Sequence, residues 1–191
     1  MTSQVPSIFD WAGGRPAFER WLGRFYDLVE HDDLLLPLFG AKVSDQHRRD
    51  VVTWWCEVMG GPATYTNDLG GYEHMLSKHR GLHITGEQRL RFVTLLSRAA
   101  DDADLPDDPE FRAAVMGYAE WGTRLAVHNS SDADDIVEHA PVPRLGLGRG
   151  SAVRAVGALT RFMRGSDPHG SVALLGCRRL WPGGTSRSAP R

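Results

Sequence analysis

The stretch "GGYEHMLSKHRGLHI" (residues 70–84) carries His74, His79 and His83, three of the chain's eight histidines. His79 and His83 are four apart, the spacing that puts two side chains on one helical face. Three readings follow: a zinc site, a ligand for some other metal group, or a solvated helix end. Gly81 lies between the two. Glycine costs about 1 kcal/mol inside a helix and favours the position just past its end. The spacing therefore predicts a helix of about two turns over "YEHMLSKH", ended by Gly81, with the two imidazoles diverging. No HExxH and no nearby cysteine pair accompanies them, which argues against tetrahedral zinc. The inward Glu-x-x-His pairs of a di-iron bundle are missing too. His79 alone stays of interest, because the turn before it supplies Met75 and Leu76 as an apolar floor. A histidine there either caps the last carbonyls and favours the helix dipole, or faces a slot whose other wall must be found elsewhere.

Working outward, the chain reads as helical throughout its first two thirds. "RPAFERWLGRFYDLVE" (15–30) places Phe18, Trp21, Leu22, Phe25, Tyr26 and Val29 at the spacing of an amphipathic helix. "DDLLLPLFG" follows as one turn, capped by Asp32 or Asp33 and interrupted by Pro37. Ser44 is an N-cap for "DQHRRDVVTWWCEVM", where His47, Val51, Trp54, Trp55 and Val58 share a face. Gly60-Gly61-Pro62 is a strong stop, and "ATYTNDLGG" reads as an extended loop. Thr85 opens a long helix with an inward stripe of Leu90, Val93, Leu96 and Ala100. A cap at Asp107 or Asp108 opens the last, with Phe111, Ala114, Val115, Tyr118, Trp121 and Leu125 inward. No segment alternates with period two over a useful length, so an all-α domain is expected over residues 1–140.

Residues 141–191 differ in kind. They hold nine glycines, five prolines and nine arginines against one acidic residue, Asp167, which leaves 13 basic and 23 acidic residues in the first 140. The expectation is a flexible C-terminal extension. Within it "SAVRAVGALTRFMR" could form a basic amphipathic helix against an anionic surface or an acidic partner. The acidic domain lacks the clustered positive charge of a nucleic-acid interface. Only two cysteines, Cys56 and Cys177, are present, which excludes a disulfide framework and makes a cytoplasmic setting the default. No apolar run approaches the ~20 residues of a membrane span, and the N-terminus lacks a signal-peptide pattern. Cys56 reads as a small buried hydrophobe rather than a redox thiol.

The opposing wall for His79 comes from the first two long helices. Tyr26 and His47 lie on core-facing stripes, where each polar side chain needs a partner. With Phe39 after the intervening turn, they make a polar lid over an apolar slot. One neutral imidazole below, apolar walls, and a few donors above are what a haem needs.

Taken in order, "RFYDLVEHDDLLLPLF", "WW", "MGGPATY", "GGYEHMLSKH" and "ITGEQRLRFV" resemble the group II truncated haemoglobins, over about residues 7–130. The resemblance implies a truncated globin fold, the two-over-two helical sandwich, and haem b (iron protoporphyrin IX) as cofactor. It puts His79 at the proximal iron-ligand position, with Tyr26 and His47 on the distal, ligand-binding side. Phe39, Val51, Trp54 and Met75 fall on pocket positions, and Tyr65 and Lys78 on positions that reach haem propionates. Phe92 stands where the family usually has a tryptophan, so an indole donor is lost while aromatic bulk is kept. The implied function is reversible binding of O2, and of NO or CO, in oxygen transport or storage. Two alternatives stay open. One is an NO dioxygenase or peroxidase working with an external reductase. The other is a haem-based gas or redox sensor.

Overall fold

The computed structural model of the protein describes residues 6–132 and residue 142. Among them are seven α-helices and one 3-10 turn: α1 (Ile8–Ala12), α2 (Arg15–Val29), the turn Leu36–Leu38, α3 (Asp45–Val58), α4 (Thr64–Leu69), α5 (Gly71–Ser77), α6 (Gly86–Asp102) and α7 (Pro109–His128). No strand occurs among the described residues. The expected extension over 141–191, with its amphipathic segment, lies outside them apart from Val142.

Four long helices make the frame. α2 packs on α3, α6 packs on α7, and α2 lies against α6 to join the pairs. This is the two-over-two sandwich. α2 is the central element because its apolar stripe is widest: Phe18, Trp21, Leu22, Phe25, Tyr26 and Val29 are all buried. Trp21 is fully enclosed, and its indole N–H donates to the Leu96 carbonyl at 2.9 Å. That bond satisfies the one polar atom that burying a tryptophan brings into a core.

Helix starts follow local chemistry. The Ser44 hydroxyl accepts the His47 N–H at the head of α3. Thr85 and Gln88 form a reciprocal capping box at the head of α6. The Asp108 carboxylate accepts two amides at the head of α7. Asp32 accepts the N–H groups of Leu34 and Leu35, ordering the turn before Pro37.

Four features depart from the sequence reading. "ATYTNDLGG" is not extended: Thr64–Leu69 is helix α4. Its nucleus is not local. The Glu57 carboxylate, at the end of α3, accepts the Thr66 N–H at 3.0 Å and the Thr66 hydroxyl as well, supplying the cap that the segment lacks. A short helix α1 also forms, capped by Ser7. Third, α5 ends at Ser77 with Lys78 as its cap, before Gly81, although Gly81 does take the left-handed conformation (φ +76°). Last, Leu90 is 59% exposed. It lies six residues from Leu96, about 120° round the helix. The inward stripe of α6 is instead Leu95, Leu96, Ala99 and Ala100.

The turn after α3 is unusually tight. A Cβ on Gly61 would sit 2.7 Å from the Cys56 carbonyl oxygen and 2.9 Å from the Phe9 ring. The Gly61 N–H donates to that same carbonyl at 2.8 Å. Glycine is what lets the chain turn from α3 beneath α1 and toward α4.

Candidate functional site

A cavity of about 530 Å³ opens between α2, α3, α5, α6 and α7, within the range of pockets that enclose a cofactor-sized ligand. His79, Met75 and Lys78 line it from the α5 end. Tyr26, Phe39, His47, Val51 and Trp54 line it from α2, the 3-10 turn and α3, and Phe92 from α6. Tyr65 on α4 completes the wall. Six segments thus bring the ten residues singled out in the sequence to one cavity.

The helix carrying His47 is sorted by face. Val52, Trp55, Cys56 and Val58 are buried, while His47, Val51 and Trp54 are half-buried along the cavity. Cys56 is not among the cavity residues. Burial pushes its thiol up to about 11, so it stays protonated and unreactive.

His79 stands two residues beyond the end of α5, in the turn that follows. Its N–H donates to the Leu76 carbonyl at 3.0 Å. Its ring Nδ1 lies 2.9 Å from the Met75 carbonyl oxygen. A carbonyl can only accept, so Nδ1 carries the proton and the lone pair is on Nε2. This is the tautomer a metal-ligating imidazole needs, already locked by a backbone partner. Burial pushes the His79 pKa down, which keeps the ring neutral. His83 behaves differently. Its φ is +48°, its N–H donates to the Ser130 carbonyl, and its Nε2 lies 3.1 Å from Asp132 with the side chain 63% exposed. The two histidines diverge, as the glycine between them requires.

On the other side, the Tyr26 hydroxyl and His47 Nε2 are 2.9 Å apart. Tyr26 is buried, and desolvation holds its phenol well above the usual range. Burial likewise pushes His47 down, so the pair is neutral. Two arrangements satisfy it. Either the phenol donates to Nε2, or Nε2–H donates to the phenolic oxygen and frees the O–H to point elsewhere. Phe39 stacks edge-on against both rings, 5.7 Å from Tyr26 and 5.4 Å from His47. Phe92 packs 4.6 Å from the Phe25 ring and adds no donor.

Tyr65 packs against Trp54 at 5.1 Å, and burial pushes its phenol up to about 12. His74 lines the same end, with its ring 6.1 Å from Tyr65. Sequence reasoning passed it over. The signal was available, since His74 on α5 stands four residues before Lys78, the cap of that helix. Trp121, expected in the core of α7, is half-buried and lines the cavity. The buried face of α7 is Phe111, Ala114, Val115, Tyr118, Ala119 and Thr123, and Trp121 falls outside it.

Residues 7–120 match the bacterial-like globin family. This chain belongs to that family. Among curated proteins, the globin is 24% identical to the "Group 1 truncated hemoglobin GlbN" of Nostoc commune over 123 residues, 64% of this chain and 89% of that one. Among solved structures, it is similar to the group II truncated haemoglobin of Bacillus anthracis (TM-score 0.60, 20% identity, 70% of this chain and 98% of that one). It is also similar to the haemoglobin of Chloroflexus aurantiacus (TM-score 0.57, 24% identity, 64% and 98%). The globin is therefore a truncated one, of the two-on-two type. No helix among its described residues is long and apolar enough to cross a membrane.

The half-buried, neutral His47 and His79 give the haem-free globin a defined pH dependence. His47 and His79 both have pKa values below the ordinary ~6.5. The unfolded chain then takes up protons first as pH falls, so stability is complete above about 6.5 and is lost on descending toward the folded values. The urea midpoint of the haem-free protein should fall between pH 7.5 and 5.5. The double variant His47→Gln/His79→Gln should show a flatter limb over that interval, and an unchanged slope would refute the assignment.

Proposed function

We propose that this globin holds haem b in the cavity through Nε2 of His79 and reversibly binds O2, and also NO or CO, on the side of Tyr26 and His47. One observation carries the reading. The His79 ring is anchored by Nδ1–H to the Met75 carbonyl, which leaves Nε2 unprotonated on a residue that lines a large, mainly apolar cavity. A helix-capping histidine would make the same bond to the Met75 carbonyl; what supports a ligand role is the free Nε2 on the cavity wall. Haem, when bound, would supply an iron that the His79 imidazole could hold and that could take up a diatomic ligand.

The chain's own residues supply the rest. Met75, Val51, Phe39 and Phe92 exclude water. Trp54 and Tyr65 close the wall beside them, and Lys78 and Tyr65 offer a cation and a phenol to the propionates. The Tyr26–His47 pair is the ligand's polar partner. With Nε2–H of His47 donating to the Tyr26 oxygen, the phenol O–H is free to donate to a bound diatomic. Such donation favours O2 over CO, because O2 gathers negative charge when bound and CO gathers little. Phe92 contributes bulk only, so this pair carries the discrimination.

An absorption spectrum of the purified protein, reconstituted with haem, tests the reading. A sharp Soret band is expected, shifting on reduction and again on exposure to CO or O2. Its absence after full reconstitution would overturn the proposal.

A further inference from the structure

Behind Tyr26, away from the cavity, lies a polar cluster centred on Arg48. Arg48 follows His47 on α3 and is 21% exposed on its side chain. Its guanidinium reaches across to α2 at three points. Nη1 donates to the Gly23 carbonyl at 3.1 Å and to the Asp27 carboxylate at 3.0 Å, and Nη2 pairs with Glu30 at 3.1 Å. Gly23, Tyr26, Asp27 and Glu30 are spaced i, i+3, i+4, i+7, one face of α2. The clamp therefore spans the turns on both sides of Tyr26. The guanidinium carbon lies 5.6 Å from the Tyr26 ring centroid, within cation–π range. Glu30 extends the network: its carboxylate accepts the Val43 N–H at 3.1 Å, one residue before the Ser44 cap whose hydroxyl holds the His47 N–H. One arginine thus ties α2, the loop ahead of α3 and the first turn of α3, the three segments that place the Tyr26 hydroxyl 2.9 Å from His47 Nε2.

We propose that Arg48 is a positioning residue for the distal pair: its three-point clamp across α2 sets the Tyr26–His47 contact, and so the donor presented to a bound diatomic. Tyr26 and His47 are on different helices, 21 positions apart, and a hydrogen bond between them survives only if the helices hold register to a few tenths of an ångström. Lysine could keep the charge but not the fork. The cation over the ring also draws electron density from the phenol, which strengthens it as a donor. This inference rests on the haem reading above.

The test compares Arg48→Met and Arg48→Lys with wild type and with Tyr26→Phe/His47→Leu, all reconstituted with haem. In both Arg48 variants O2 release should speed up by about 5- to 10-fold, the worth of about one hydrogen bond. The C–O stretching band of the CO complex should split or broaden as the distal pair loses its single arrangement. Adding Arg48→Met to the Tyr26→Phe/His47→Leu background should change neither readout by more than about twofold. A merely structural role would lower thermal stability while leaving the CO band single. Should Arg48→Met fold poorly, Glu30→Gln breaks the same clamp from the other side and should broaden the CO band too. In haem-free protein, the nuclear Overhauser contact between Tyr26 and His47 should weaken in Arg48→Met. An unchanged CO band and O2 release in Arg48→Met, or an equal effect in the background lacking both donors, would overturn the proposal. Failure of every variant, wild type included, to take up haem would instead sink the haem reading, and the haem-free contact would still decide the role of Arg48.

Discussion

His79→Gly should yield a folded protein that retains haem more than about 100-fold less well than wild type, since removing even a partner of a ligand costs about 10- to 100-fold in metal affinity. The cavity residue would leave a space the size of an imidazole, and added imidazole should restore a Soret band. His83→Ala should leave the spectrum as it is, because His83 turns outward to Asp132. The contrast follows from one tautomer: His79 has its Nδ1 on the Met75 carbonyl and its remaining nitrogen unprotonated. Haem titration followed in the Soret region checks both variants. Wild-type haem retention in His79→Gly, or loss of haem in His83→Ala, would overturn the ligand assignment.

The second large effect concerns ligand release. Tyr26→Phe and His47→Leu each remove one half of the 2.9 Å distal contact. A donor to a charged oxygen is worth roughly 1.5 to 3 kcal/mol, so O2 release should quicken by about 10- to 150-fold. The two effects should not add. With Nε2–H of His47 donating to the Tyr26 oxygen, His47 acts by orienting the phenol O–H, so both residues work through one donor and the double variant should resemble the more severe single one. CO release should change far less. Stopped-flow displacement of O2 by CO measures both. Unchanged O2 release in the double variant would remove Tyr26 and His47 from the ligand's surroundings.

Several elements were legible because their causes are local. Ser44, Thr85 and the pair Asp107/Asp108 were readable as caps from residue type and position, and Ser44, Thr85 and Asp108 accept the amides expected of a cap. The stripe of α2 was readable from its spacing, and all six of its apolar positions are buried. Other readings failed where the cause lies far along the chain. Helix α4 depends on Glu57, nine residues from the Thr66 amide it caps, so "ATYTNDLGG" shows no sign of it in itself. Leu90 looked inward because its spacing groups it with Leu96 and Ala100, which are buried. The helical angle from Leu96 puts it on the far side, and α6 buries Leu95 and Ala99 instead.

By itself, then, the sequence determined the all-helical class, the boundaries of the four long helices, and the residue types that could meet at a site. Those properties depend on hydrogen bonds and side-chain spacing within one or two turns. The tertiary structure alone decided which faces meet. It set Trp121 against the cavity rather than in the core. It joined Tyr26 to His47 across 21 positions and brought Arg48 behind them onto Gly23, Asp27 and Glu30. It also chose the partners of His79 and His83, whose divergence Gly81 already implied: the Met75 carbonyl for one ring and Asp132 for the other. Such pairings depend on how helices cross, and a crossing is settled by the packing of whole faces rather than by any run of residues within one of them.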